Sequence, residues 1–251
     1  MNVLHIAARE FRSTFGNPVG WLVLCGFLML TGVFWYAQLD FYVTESANLV
    51  FNPYGAPTMT LAGYLLGPFF GNTLVVVLMV MPAVTMRLFA EEIRGRTLEL
   101  LLTSPVSTLE IVLGKFLGAL AFVTLMLAAT AYAPLSLLVW TDTLDWGVVG
   151  GGYLALFLVS CALLSLGMFA SSITNSQMVA LVLAFSGSLA LYVLSWLGDG
   201  PDAWQTQLSV GAHVEDLLRG ALRLSDLTYY AAFVGFFLFA THQRLESFRW
   251  R

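Results

Sequence analysis

The feature that most constrains this chain is a series of long apolar runs that contain no charged residue. Five runs, 19–39, 68–86, 116–140, 147–170 and 178–197, are about as long as a membrane-spanning helix requires. A sixth run, 227–241, is shorter, and we expect its helix to extend past Arg244, whose side chain can reach the membrane surface. Only 10% of the residues are charged, which excludes an ordinary soluble fold. The sequence predicts an all-α membrane protein with six transmembrane helices.

The positions of lysine and arginine predict the orientation of the spans, because positively charged loops stay on the cytoplasmic side. With the N-terminus inside, only Arg219 and Arg223 lie outside, and the number of spans must be even. Tyr229, Tyr230 and Trp250 suit membrane interfaces. We therefore expect both termini in the cytoplasm, together with Arg9, Arg12, Arg87, Arg94, Arg96, Lys115, Arg244, Arg249 and Arg251.

Residues 1–18 have the pattern of an amphipathic helix that lies at the membrane surface. The alternative is a frayed terminus. The apolar face contains Leu4, Ala7, Ala8, Phe11 and Phe15, and the polar face contains Arg9, Glu10, Arg12 and Ser13.

Several functions are disfavoured by what the sequence lacks. No span carries an ionisable residue in its core, although proton relays and voltage sensors require one. No phosphate-binding G-x-x-x-x-G-K-[ST] motif, nucleophile–base pair in a span or basic tract for nucleic acid occurs. Cys25 and Cys161 lie in apolar runs and are expected to pack as small apolar residues. Any energy for work must therefore come from a partner.

Residues 88–115, called the elbow below, contain the sharpest local pattern. Glu92 and Arg96 are spaced as an i, i+4 helical pair. The leucine-rich stretch 98–102 is followed by Ser104 and Pro105, which should end the helix. Ser107 and Glu110 then form a capping box that starts the third span. We expect a stiff helical corner on the cytoplasmic side, with a solvated loop as the alternative.

The small residues of the fourth span permit close helix packing within the chain or, as the alternative, a role in a dimer contact or a cargo path. They are Gly150, Gly151, Gly152, Ser160, Ser165 and Gly167. In the third span, Pro134 should produce a kink, with its freed carbonyl facing a cavity or a neighbour.

The elbow string EEIRGRTLELLLTSPVS, with GK further on, resembles the cytoplasmic signature of ABC-2 type permeases. One departure is Arg96, which stands where the family usually has a glycine before the threonine. The resemblance implies one transmembrane domain over 1–251, with an interfacial helix at 1–18, a coupling segment at 88–115 and an extracellular segment at 199–226. It implies an ATPase-coupling site at Glu91, Glu92, Arg96, Thr97, Glu99, Leu100, Leu101, Pro105 and Ser107.

The same resemblance implies the partners. A cytoplasmic ABC ATPase subunit would bind ATP and Mg²⁺, so this chain needs no cofactor and is not itself an enzyme. A second permease copy or a homologous permease, membrane lipids and an extracytoplasmic accessory protein are expected, and nucleic acid is not. The location would be the inner membrane of a bacterium.

The segment 199–226 contains a turn-rich opening and then an amphipathic stretch, which predict short helices at the outer membrane surface. His213, Glu215 and Asp216 lack a tetrahedral metal-ligand set. The closing 35 residues resemble the gliding-motility-associated (Gld-type) branch of ABC-2 permeases. The likeness is carried by Arg219, Gly220, Asp226, Tyr229, Leu245, Glu246, Arg249 and Trp250.

These observations favour the permease subunit of an ATP-driven exporter of a lipid-like or envelope-related cargo. The alternative is a non-transporting membrane anchor of an ATPase-driven envelope or motility machine. An intramembrane enzyme is disfavoured.

Overall fold

The structure is a computed structural model that describes residues 2–51, 60–97, 106–141, 144–197, 203–218 and 223–249. Over these residues its elements are helices and turns, without a β-strand. Six helical segments are long and apolar enough to cross a membrane. The predicted fold class is therefore confirmed.

The described residues form eleven α-helices. They are α1 (Asn2–Gly16), α2 (Pro18–Phe51), α3 (Gly67–Thr85, preceded by a π-helical turn, Ala62–Leu66), α4 (Ala90–Arg94), α5 (Thr108–Ala129), α6 (Tyr132–Ser136, followed by a 3₁₀ turn, Leu137–Val139), α7 (Trp146–Ile173), α8 (Gln177–Val193, followed by a 3₁₀ turn, Leu194–Leu197), α9 (Trp204–Leu208), α10 (Ala212–Leu218) and α11 (Leu224–Arg249). The last helix extends past Arg244, as expected from its short apolar run.

Helix α2 is longer than its apolar run predicts. The run ends at Leu39, but the helix continues through Asp40 and Glu45 to Phe51. No glycine or proline occurs between Gly32 and Phe51, so nothing in the backbone interrupts the helix. The polar end of α2 is consequently helical as well.

Three helices form the centre of the bundle and three surround it. In the apolar stretches of α3, α5 and α7, about two thirds of the residues are buried (67%, 61% and 67%). The buried share is 22% in α2 and 17% each in α8 and α11. Helix α7 packs on α3, α5, α8 and α11. The elbow connects two of the three central helices, α3 and α5, and the end of the bundle where it lies is called the elbow end below.

Glycines of α7 permit its close approach to α3. A Cβ atom at Gly152 would lie 2.4 Å from the ring of Phe70, and one at Gly167 would lie 2.2 Å from Thr85 Oγ1. Gly150, by contrast, has no neighbouring atom within 4 Å of an added Cβ. Of the two roles left open by the sequence, packing within the chain is therefore found at Gly152 and Gly167.

The third span is interrupted near Pro134, as predicted. Helix α5 ends at Ala129 and α6 begins at Tyr132, because the proline ring excludes a regular helix over the preceding turn. The carbonyl of Thr130, four residues before the proline, accepts a hydrogen bond from Ala133 N at 3.0 Å. An apolar cavity of about 340 Å³ lies beside this interruption, between α5 and α7.

Candidate functional site

The elbow begins with a turn that is held by another helix. After α3, residues 86–89 form the turn before α4. Ser171, near the end of α7, accepts hydrogen bonds on Oγ from Phe89 N and Ala90 N, both at 3.0 Å. The same hydroxyl donates to Met86 O at 3.0 Å. One buried side chain of the fourth span thus fixes the start of the elbow.

A buried lysine joins the two sides of the elbow to α1. Lys115 Nζ lies 2.9 Å from Glu92 Oε1 and 3.4 Å from Glu10 Oε2, and its side chain is only 3% exposed. Its ammonium also lies 5.3 Å from the centroid of the Phe89 ring. A buried ammonium requires compensating charge and hydrogen bonds, and the two carboxylates provide both. Three segments of the chain therefore meet at this lysine.

Two glycines bring α1 against α5 beside this lysine. A Cβ atom at Gly114 would lie 2.7 Å from Ile6 Cβ, and one at Gly118 would lie 2.7 Å from Ala7 O and from Glu10 Cβ. The spacing Gly-x-x-x-Gly places both on one helix face, where the missing side chains permit close contact between helices. The close contact of α1 and α5 brings the carboxylate of Glu10 next to Lys115.

Residues from both predicted faces of α1 contact the rest of the protein. Of the predicted apolar face, Phe11 and Phe15 pack against the core and Leu4 is 72% exposed. Glu10, a residue of the predicted polar face, pairs with Lys115. The contact with the glycines of α5 therefore also covers a residue of the predicted polar face, a neighbour that the periodicity of α1 does not show.

The second half of the elbow starts with the predicted capping box. Ser107 Oγ accepts from Glu110 N at 3.2 Å, and Glu110 Oε2 accepts from Ser107 N at 3.0 Å. Next to it, Thr108 Oγ1 donates to Glu246 Oε1 of α11 at 2.7 Å. The start of the third span is thereby joined to the end of the sixth.

The expected helical pair of Glu92 and Arg96 is not formed. Helix α4 ends at Arg94, and Arg96 has a φ of 55°, in the left-handed region. Glu92 bonds to Lys115 instead. Glycine is the residue best suited to such a backbone, and this is the position where the ABC-2 signature usually has glycine.

A polar cleft of about 260 Å³ opens between α1 and the elbow. Three carboxylates and two cations are among the side chains around it, so its formal charge is negative. It is lined by Glu10, Ser13, Thr14, Asn17, Arg87, Glu91, Glu92, Thr97 and Lys115.

The predicted coupling residues fall into two groups. Glu91, Arg96, Thr97 and Ser107 are exposed, whereas Glu92 is partly buried in the lysine contact. The other four, Glu99, Leu100, Leu101 and Pro105, lie outside the described residues, together with the leucine-rich stretch 98–102.

Sequence reasoning missed four residues that hold the elbow. Lys115 was recognised as part of a motif, but its burial was not expected, and Glu10 looked like a solvated residue. Ser171 carries no sequence signal, and Glu246 was noted only for the likeness to Gld-type permeases, because their hydrogen bonds join positions far apart in the chain. A lysine at the start of an apolar run was the one available sign, since a charge there needs a partner.

A second polar cluster lies at the opposite end of the bundle. His213 Nδ1 lies 2.8 Å from Asp226 Oδ1, and the imidazole stacks on Tyr229 with 4.1 Å between ring centroids. Tyr229 Oη and Tyr230 Oη donate to Leu208 O and to Val210 O. The cluster thus fastens the segment of α9 and α10 to α11.

The residues around His213 form no metal site in the described structure. The described residues include no group of three or more His, Cys, Asp or Glu that could hold a metal ion. The side chains of Glu215 and Asp216 lie outside the described part.

A comparison with protein families agrees with the six-helix structure. Residues 4–203 match the family described as "ABC-2 family transporter protein". No curated protein matches the chain. The family match covers most of the chain, including α1, the elbow and the first five spans.

Proposed function

The chain belongs to the ABC-2 family of transporter proteins as a membrane permease, and we propose that ATP-driven motion enters it at the elbow. In such transporters the ATPase is a separate protein, so ATP and Mg²⁺ bind there. The ATPase would contact the exposed residues of the elbow and the cleft beside α1. ATP-dependent closure of two ATPase subunits would then move the ends of α3 and α5.

The observation that carries this proposal is the buried contact of Lys115 with Glu92 and Glu10. A flexible loop would deform when the ATPase displaces it and would not pass the displacement on to the spans. Here, however, the elbow is tied to α5 and α1 by buried ion pairs, to α7 by Ser171 and to α11 by Thr108. Displacement of the exposed side of α4 is therefore expected to reach several spans.

In this proposal the elbow end faces the cytoplasm, and both termini lie on that side. The protein would reside in the inner membrane of a bacterium. The distribution of lysine and arginine supports this orientation, because all but Arg219 and Arg223 then lie inside.

We also propose that a second permease completes the pathway. Helices α2, α8 and α11 cover little of their apolar surface within the chain. Exposed Trp21, Leu22 and Tyr36 lie on α2 and suit lipid or another permease. Mostly apolar walls between two copies would favour a lipid-like or envelope-related cargo.

A second candidate is a non-transporting membrane subunit of an envelope or motility machine. The likeness of the closing residues to Gld-type permeases favours it, and an extracytoplasmic accessory protein would then bind at the end opposite to the elbow. Both candidates use the elbow in the same way and differ only in whether a cargo crosses the membrane.

Association with ABC ATPases of the source organism tests the docking site. We would co-express the chain with these ATPases and compare Glu91→Arg with Glu45→Arg, the same charge reversal at the far end of α2. Glu91→Arg should reduce the co-purified ATPase by about tenfold or more, and Glu45→Arg by less than about twofold. Equal retention in both variants would exclude Glu91 from the contact.

Transport decides between the two candidates. The wild-type complex, reconstituted in liposomes, would be supplied with ATP and a fluorescent glycolipid. ATP-dependent movement of the glycolipid between leaflets supports the exporter. ATP turnover without movement of this or other envelope lipids supports the mechanical subunit.

A further inference from the structure

One hydroxyl in the fourth span binds two backbone amides of the elbow and one carbonyl just before it. Ser171 Oγ accepts from Phe89 N and Ala90 N and donates to Met86 O. The serine is fully buried, with 0% of its surface exposed. No bulk water is therefore at hand to replace these bonds if the hydroxyl is removed.

The bonds serve a helix that cannot cap itself. The first amides of a helix have no partner within the helix and need an acceptor from elsewhere. Phe89, at the N-cap of α4, makes no side-chain capping bond. Ser171 supplies the acceptor from another span, so the start of α4 and the end of α7 form one bonded unit.

The elbow already connects two of the three central helices through the chain itself, since α3 leads into it and α5 leads out. Helix α7 is the third, and it packs on α3, α5, α8 and α11. In the described part of the elbow, Ser171 provides side-chain hydrogen bonds from α7 to this turn. All three central helices are thus attached to the elbow.

We propose that Ser171 is a positioning residue that makes α7 move with the elbow during the transport cycle. This inference rests on the proposed function, because it requires that the ATPase moves the elbow. Helix α7 would then be the third span that moves with the elbow, besides α3 and α5, which the chain itself joins to it. Without the serine, α7 would follow the elbow less, through its packing on α3 and α5 alone.

The neighbouring serine is a matched control. Ser172 is also fully buried, but its Oγ donates to Phe169 O of the same helix at 2.7 Å. Ser171→Ala and Ser172→Ala therefore each remove one buried hydroxyl from the same turn. Only the first breaks the bonds to the elbow.

The test measures two distances by pulsed electron spin resonance in the complex with its ATPase. Spin labels on cysteines would be placed in a chain in which Cys25 and Cys161 are replaced by alanine. The first distance joins the elbow to α2, with labels at exposed Arg94 and Met29. The second joins α7 to α2, with labels at exposed Ile173 and Met29.

In the otherwise wild-type chain and in Ser172→Ala, trapping the nucleotide with vanadate should change both distances. In Ser171→Ala, the elbow distance should change as before, and the change in the α7 distance should fall to less than about half, since the two segments are no longer bonded. An α7 change as large as in wild type would overturn the inference. Failure of the proposed function is recognisable separately, because the elbow distance would then not change in any variant.

A second measurement needs no substitution, in case Ser171→Ala does not fold. Amide hydrogen exchange of the unmodified complex reports on residues 86–90 and on the last turn of α7. Vanadate trapping should change the exchange of both segments together. A change at 86–90 with none in α7 would contradict the inference.

Discussion

Lys115 Nζ lies 2.9 Å from Glu92 Oε1, and this pair connects the two halves of the elbow. The first half follows the second span and the second half begins the third. Glu10 of α1 approaches the same ammonium at 3.4 Å. The contact joins the N-terminal helix α1 to the elbow.

Replacing Lys115 by methionine should destabilise the protein, because Glu10 and Glu92 would be left close together without their cation. Both carboxylates are about one fifth exposed (18% and 21%), so water offsets part of the loss. We expect a decrease of about 2–3 kcal/mol, at or below the lower limit of the range for broken buried ion pairs. Thermal unfolding in detergent measures it.

Arg12→Met is the control for this prediction. Arg12 is an exposed cation on α1, and its loss should change the stability by less than about 0.5 kcal/mol. Equal losses of stability in Lys115→Met and Arg12→Met would show that the buried contacts of Lys115 do not stabilise the protein.

Gly118→Ala should separate α1 from α5. The added Cβ would meet backbone and side-chain atoms of α1 at 2.7 Å, and such overpacking costs about 1–3 kcal/mol. Gly150→Ala is the matched change, since its Cβ would meet nothing within 4 Å. That variant should gain up to about 1 kcal/mol from better helix propensity. Unfolding temperatures that rise in both variants would contradict the close contact.

Arg96→Gly should stabilise the elbow. A non-glycine residue in the left-handed region is strained by about 1–2 kcal/mol, and part of the gain is offset by the greater freedom of glycine in the unfolded chain. A net gain of about 0.5–1 kcal/mol is expected in thermal unfolding. Arg94→Gly, within α4, should instead lose about 1 kcal/mol. A loss in both variants would argue against the left-handed turn.

His213→Phe should release the segment of α9 and α10 at the end opposite to the elbow. Phenylalanine can keep the stack on Tyr229, but Asp226, only 5% exposed, would lose the partner at Oδ1. Trypsin cleavage after Arg223 should then become about tenfold faster, because local opening is easier. His242→Phe removes a longer contact, 4.0 Å to Glu246, and should leave the cleavage rate unchanged. Unchanged cleavage in His213→Phe would contradict the fastening role.

The sequence predicted the spans well, because the apolar runs and the kink near Pro134 depend on local residues. It also predicted the Ser107–Glu110 capping box, which is local as well. The sequence did not predict the ion pair of Glu10 and Lys115. Helix periodicity shows that a helix has an apolar and a polar face, but not which neighbouring helix covers each face. Gly114 and Gly118 decide that, and a glycine pair in a span gives no indication of its partner. The hydrogen bonds of Ser171 to the elbow could not be predicted from the sequence for the same reason.

The central claim, that the ATPase engages the elbow, is tested most directly by photocrosslinking. A photoreactive phenylalanine analogue would be incorporated at Glu91, and separately at Trp204, which is 65% exposed at the opposite end. The account predicts crosslinks to the co-purified ATPase from Glu91 and none from Trp204. Crosslinks from Trp204, or none from Glu91 while the ATPase remains bound, would contradict it.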